Sequence, residues 1–187
     1  MLYTSSRHEP LRSTPWSPQV AEARLRQIVS DVTSSYTPEG LWFLNDDDLD
    51  NHIPTNIYNG AMGVLWGCAH LQQYSNVALP APIETIADDI YARYFQTEAV
   101  YCAEYGANGL LPAYFLGETG LLRAMCDMLP HRRAGFASRL QTLVESNMTN
   151  PTMEPLWGGT GSIIAALAHI DELESEPLHQ ALIDHAR

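Results

Sequence analysis

Residues 154–170 read EPLWGGTGSIIAALAHI: an acid, a tryptophan and three glycines in four positions, then an unbroken apolar run. Glycine is the poorest helix former after proline, yet here it heads a helix signal. The arrangement occurs twice more upstream. Gly60 and Gly63 stand in YNGAMGVLW, Gly117 and Gly120 in FLGETGLLR, and the third copy carries Gly158 and Gly161. Three copies of G-x-x-G, each leading an apolar stretch, define a repeat.

Working outward from these copies, the periodicity predicts helices almost everywhere. SPQVAEARLRQIVSDVTSSY places Val20, Leu25, Ile28, Val29, Val32 and Tyr36 on one stripe, with Ser17 as N-cap and Pro18 as first helical residue. APIETIADDIYARYFQ, RRAGFASRLQTLVESNM and EPLHQALIDHAR repeat that amphipathic design. The segments between them, AMGVLWGCAHLQQY, ETGLLRAMCDML and GTGSIIAALAHI, are apolar nearly all round and predict buried helices. The expected fold is all-α: roughly seven helices, amphipathic and buried in alternation. Each hairpin must stack on its neighbours to cover its apolar face. An outer ring of amphipathic helices around an inner buried ring, an (α/α) toroid, is the economical arrangement. Residues 17–187 are expected to form that domain, and 1–16 an extension. The connectors YTPEGLWFLNDDDLDNHIPTN and QTEAVYCAEYGANG are long for helix links.

Glycine at a helix start admits close approach by another backbone or by a ligand, next to unpaired N–H groups and partial positive charge. Both readings apply: tight packing of buried helices, or three starts converging on one mouth. Asn59, Gly60, Glu118, Trp157, Gly158 and Thr160 are the binding candidates, and Glu154 is a further polar residue beside the third motif. The plain alternative for Glu154 is a capping carboxylate ahead of its helix.

Bulk composition narrows the partners. A formal charge of −12 argues against nucleic acid and anionic membrane. All ten basic residues are arginine, which removes Schiff-base and P-loop lysine chemistry. MLYTSSRHEPLRSTP has no signal-peptide core and no apolar run is long enough to span a bilayer, so a cytoplasmic protein is expected. Cys68, Cys102 and Cys126 are widely spaced and odd in number, which reads as buried thiols rather than a disulfide framework.

The three motif stretches, NIYNGAMGVLWGCAHL, YFLGETGLLRAMCDML and EPLWGGTGSIIAALAHI, resemble the first three repeats of the lanthionine synthetase C-like (LanC-like) family. The third is most similar to the eukaryotic-type, glutathione-handling subgroup. The resemblance covers roughly residues 17–187. It implies the α/α toroid and zinc-dependent addition of a thiol to dehydrated Ser or Thr, with a peptide or small thiol as substrate. It also places Glu154 where that family has an acid near its zinc, which makes Glu154 the candidate catalytic acid. The family's zinc ligands come from later repeats that this chain does not show, so no metal ligand is assigned here. The expectation is the N-terminal part of such a protein, inactive alone, with Zn2+ in a full-length relative only and self-association through exposed apolar ends.

Two alternatives stay open. One is a non-enzymatic, partner-binding helical module. The other is a six-hairpin carbohydrate-active enzyme using Glu118 and Glu154 as its carboxylate pair. The run NDDDLDNH lacks the glycine and distal glutamate of a calcium loop and reads as a solvated acidic loop. His70 and His169 lie well along their inner helices and are expected far from the glycine-headed ends.

Overall fold

The computed structural model describes residues 15–42, 53–72, 74, 78–104 and 112–186, without the side chains of 98–104 and 173. Among them the architecture is all-α. The helices are α1 (Pro18–Ser34), α2 (Ala61–Leu71), α3 (Ile83–Glu104), α4 (Glu118–Met128), α5 (Arg133–Asn147), α6 (Gly159–Leu167), α7 (Ile170–Leu173) and α8 (Glu176–His185). A 3-10 turn, Pro130–Arg132, leads into α5. None is long and apolar enough to cross a membrane, among the described residues. The acidic run NDDDLDNH, His8 and His52 fall outside the described residues.

Local chemistry sets most helix ends. The Ser17 hydroxyl accepts from the Val20 N–H at 3.4 Å and Pro18 opens α1. Ser175 and Pro177 do the same for α8. Two elements differ from the sequence reading. α3 runs on to Glu104, so TEAVYCAE continues a helix instead of joining a connector. The segment ending at Ile170 does not stay one helix: α6 stops at Leu167 and the short α7 follows.

The alternation of kinds translates into layers. α2, α4 and α6 pack side by side in chain order, with α3 against α2 and α4, and α5 against α4, α6 and α8. α4 is the central element, with eight of its eleven residues buried. Its Leu121, Ala124 and Met125 join a core with Met62, Leu65, Ile86, Ile90 and Tyr94. Its Leu122 faces a second core with Leu140, Val144, Leu178 and Leu182. Burial of these aliphatic and aromatic side chains supplies the main drive to fold. α2 and α6 are less enclosed than their composition predicts: Ile164 and Leu167 of α6 are exposed.

The loop before α4 is fixed by one carbonyl. The Pro112 oxygen accepts from Thr119 Oγ1, Asn147 Nδ2 and Ser162 Oγ, each at 2.8 Å. α4, α5 and α6 are thereby tied to one point, and the buried Asn147 and Ser162 are satisfied there.

Candidate functional site

The three glycine-headed helix starts have one conformation. Gly60, Gly117 and Gly158 are the N-cap residues of α2, α4 and α6, with φ of −121°, −119° and −101° and ψ within a few degrees of 180°. The turn before each helix folds back across its first residues. The Ala61 N–H donates to the Pro54 carbonyl at 3.0 Å and the Gly159 N–H to Thr152 at 3.2 Å, the same offset in both repeats. Met62 and Gly63 donate to Thr55 and Asn56. The helix-start amides of α2 therefore bond to the chain's own backbone. A Cβ on Gly60 would lie 2.5 Å from the Asn56 nitrogen, and one on Gly158 2.6 Å from the Glu154 oxygen. Close approach is what the glycines permit, and the approaching group is the preceding turn.

The second glycines of the second and third motifs receive the repeat before them. A Cβ on Gly120 would meet Ile57 Cγ1 at 2.8 Å, and one on Gly161 would meet the Tyr114 main chain at 3.0 Å and its Cβ closer still. Ile57 and Tyr114 occupy the same place, three residues ahead of their own N-cap glycine. The three starts thus sit beside one another in register. Their turns form a partly exposed aromatic patch: Tyr58 packs edge-on against Phe115 at 6.0 Å, and Phe115 against Tyr114 at 4.9 Å.

Glu154 is half-buried beside the α6 start, and its two oxygens accept the N–H groups of Leu156 and Trp157, both at 2.6 Å. Asn56, at the matching place in the first repeat, accepts from Tyr58 and Asn59 at 2.9 and 3.1 Å. Both side chains fix the turn that crosses the helix start; any proton transfer by Glu154 would have to use its remaining lone pairs. Trp157 and Thr160 are half-buried next to it, and the Trp157 carbonyl accepts from Asn150. Asn59 is half-buried at the α2 start, and its Oδ1 is enclosed without a hydrogen-bond donor among the described residues.

Glu118 is separate from this patch in character. It is 1% exposed, and its carboxylate is held by two Arg139 nitrogens, Nε at 2.7 Å and an Nη2 contact, and by the Tyr91 hydroxyl at 2.7 Å. Burial, then this hydrogen bond and the adjacent charge, push the Tyr91 phenol well above its ordinary range. The Glu118 hydrogen bond raises Arg139. The sequence reading placed Glu118 at an open mouth; its geometry is that of a cross-link between α3, α4 and α5. Both of its oxygens are engaged in these bonds.

The opposite ends of the same helices carry a polar cluster that the sequence reading passed over. The Trp66 indole donates to Asp127 Oδ2 at 3.1 Å, and the Arg123 guanidinium lies 5.5 Å over the Trp66 ring and pairs with Asp127. His169, 4% exposed, sets Nε2 at 2.7 Å from Arg123 and 3.0 Å from Asp127 Oδ1. Its Nδ1 is 2.9 Å from Glu172, which also pairs with Arg133. A neutral ring would accept from Arg123, and an imidazolium would donate to Asp127 and Glu172 together. His169 is indeed remote from the glycine-headed ends. Single residues along α2, α4 and α6 gave no local sign that they would meet.

The hydrogen bond from His169, with Arg133 alongside, holds the Glu172 carboxyl below its ordinary range. A depressed carboxylate stabilises the fold above its unfolded value, about 4.3, and loses that contribution as pH falls through its folded value. Glu172→Gln is therefore expected to lower the thermal midpoint near neutrality and to converge with the parent in acid. Melting curves across pH 3–7 would check it; a gap that widens on acidification would contradict the assignment.

Among the described residues no group of three or more His, Cys, Asp or Glu is placed to hold a metal. Zinc takes thiolates, whereas Cys68 and Cys126 are buried and free. Burial raises the Cys68 thiol and pushes Cys126 up to about 12.

Comparison with protein-family models, with curated proteins and with solved structures finds no match to this chain.

Proposed function

We propose that this chain is a LanC-like helical-repeat module whose glycine-headed face forms one wall of a binding cavity for a peptide or small-thiol substrate. It contributes to thiol addition at dehydrated Ser or Thr without being the catalyst on its own. The observation that carries this reading is the shared register of the three helix starts, each N-capped by glycine in one conformation and receiving the preceding turn. That register brings Tyr58, Phe115 and the Glu154–Trp157 turn into one series of equivalent turns, and aromatic rings are efficient anchors for a bound chain. Thiolate activation is left to groups outside the described residues.

The reading is tested with the purified chain and a peptide containing dehydrobutyrine. The expected result is saturable binding, read from tryptophan fluorescence, with no thioether formed when glutathione is added. Tyr58→Ala removes one anchoring ring and should weaken that binding about tenfold. Stoichiometric zinc with turnover by the chain alone would overturn the non-catalytic part. Absence of peptide binding would overturn the cavity-wall part.

A further inference from the structure

The repeat has a polarity. Six residues after the N-cap glycine, each middle helix presents a side chain to the next: Trp66 meets Asp127 and Arg123 of α4, and Arg123 meets His169 just after α6. Gly120 and Gly161, three positions after that glycine, receive Ile57 and Tyr114 of the preceding repeat; Gly63 stands at the same position in α2, and the small residues Gly67, Ala124 and Ala165 stand seven positions after it. In α4 and α6, each with a middle helix packed before it, Ala124 and Ala165 are fully buried.

The first and third repeats each have one half of this contact unmatched among the described residues. In α2, Gly67 is exposed and a Cβ there would meet nothing within 4 Å. The space beside it is an apolar groove of about 240 Å³, lined by Ile28, Val29 and Val32 of α1 and by Gly63, Gly67 and Leu71 of α2. In α6 the presenting position is Ile164, 43% exposed, with Leu167 beside it at 55%. One end of the array is a receiving face of small residues over an apolar groove. The other is an apolar presenting face.

We infer that these are the two halves of one junction and that a second copy of this chain supplies the partner, α6 of one copy seating Ile164 and Leu167 in the α1–α2 groove of the other. The α2–α4 and α4–α6 contacts within each copy are the template, so the junction continues an interface the fold already uses twice. Two copies joined head to tail around a twofold axis make two identical junctions and cover both faces. The inference goes beyond the LanC-like reading and does not depend on it. The net charge of −12 on each copy opposes association, so screening by salt strengthens the pair.

Sedimentation velocity over a concentration series would test this on the intact chain. The expected result is a doubling of sedimenting mass at high loading, more complete as salt is raised. Gly67→Trp blocks the groove at an open position, and Ile164→Asp charges the presenting face at an exposed one. Each variant alone should stay monomeric, and an equimolar mixture should recover a dimer, because one intact groove and one intact α6 remain. As a readout that does not depend on variant stability, Gly67→Cys mixed with Ile164→Cys should form a disulfide between copies on mild oxidation. The parent remaining monomeric at the highest loading would overturn the inference. So would association unaffected by either variant, a mixture that stays monomeric, or an absent cross-link.

Discussion

Gly120→Ala is expected to lower the stability of the chain by about 3 kcal/mol, the upper part of the usual overpacking range. The new methyl would overlap the Tyr114 carbonyl oxygen and press on Ile57 Cγ1 and Cδ1 at 2.8 and 2.9 Å. The carbonyl is backbone of the turn before α4, and Ile57 belongs to the turn of the preceding repeat, so relief must displace the turn and press on the neighbouring repeat. Gly120 lies inside α4, where alanine would otherwise be favoured by about 1 kcal/mol; the steric cost has to exceed that gain. Gly135→Ala is the matched control. It lies inside α5 and a Cβ there meets nothing within 4 Å, so the same exchange should stabilise by about 1 kcal/mol. Urea denaturation followed by far-ultraviolet circular dichroism reads both midpoints. Equal shifts would mean that Gly120 is not the seat for the preceding turn.

Arg139→Ala should cost about 3 kcal/mol, the low end for breaking a buried ion pair. Glu118 is 1% exposed and would be left charged with the Tyr91 hydroxyl as its remaining side-chain partner. The low end applies because the Arg139 side chain is 44% exposed, so water already reaches that side of the pair. Tyr91→Phe removes one hydrogen bond to a charged acceptor and should cost about 1.5 kcal/mol. Because both partners serve the same carboxylate, the double variant is expected to depart from additivity. A double-mutant cycle in urea would establish this. Additive losses would place Arg139 and Tyr91 in separate environments and contradict the cross-link.

The element-level reading was legible because its signals are local. The Ser17-Pro18 start of α1 and the apolar stripes of α5 and α8 are written within a few residues of where they act. Buried and amphipathic helices could be told apart from composition, though α6 exposes Ile164 and Leu167. The α3 extension was missed because TEAVYCAE has no strong stripe of its own, and a helix already begun at Ile83 propagates through it at little cost.

What the chain determined by itself is the repeat: three glycine-headed helices in one order, within an all-α fold. Periodicity and composition act over one or two turns, so they survive without knowledge of partners. Tertiary structure alone decided what the marked residues touch. Glu118 and Glu154 read alike as acids at helix starts, yet one is locked to Arg139 and Tyr91 and the other fixes a surface turn. Trp66, Asp127 and His169 carried no local mark and meet across three repeats. Side-chain partnership depends on residues distant in sequence, and only the packed chain brings them within hydrogen-bond reach.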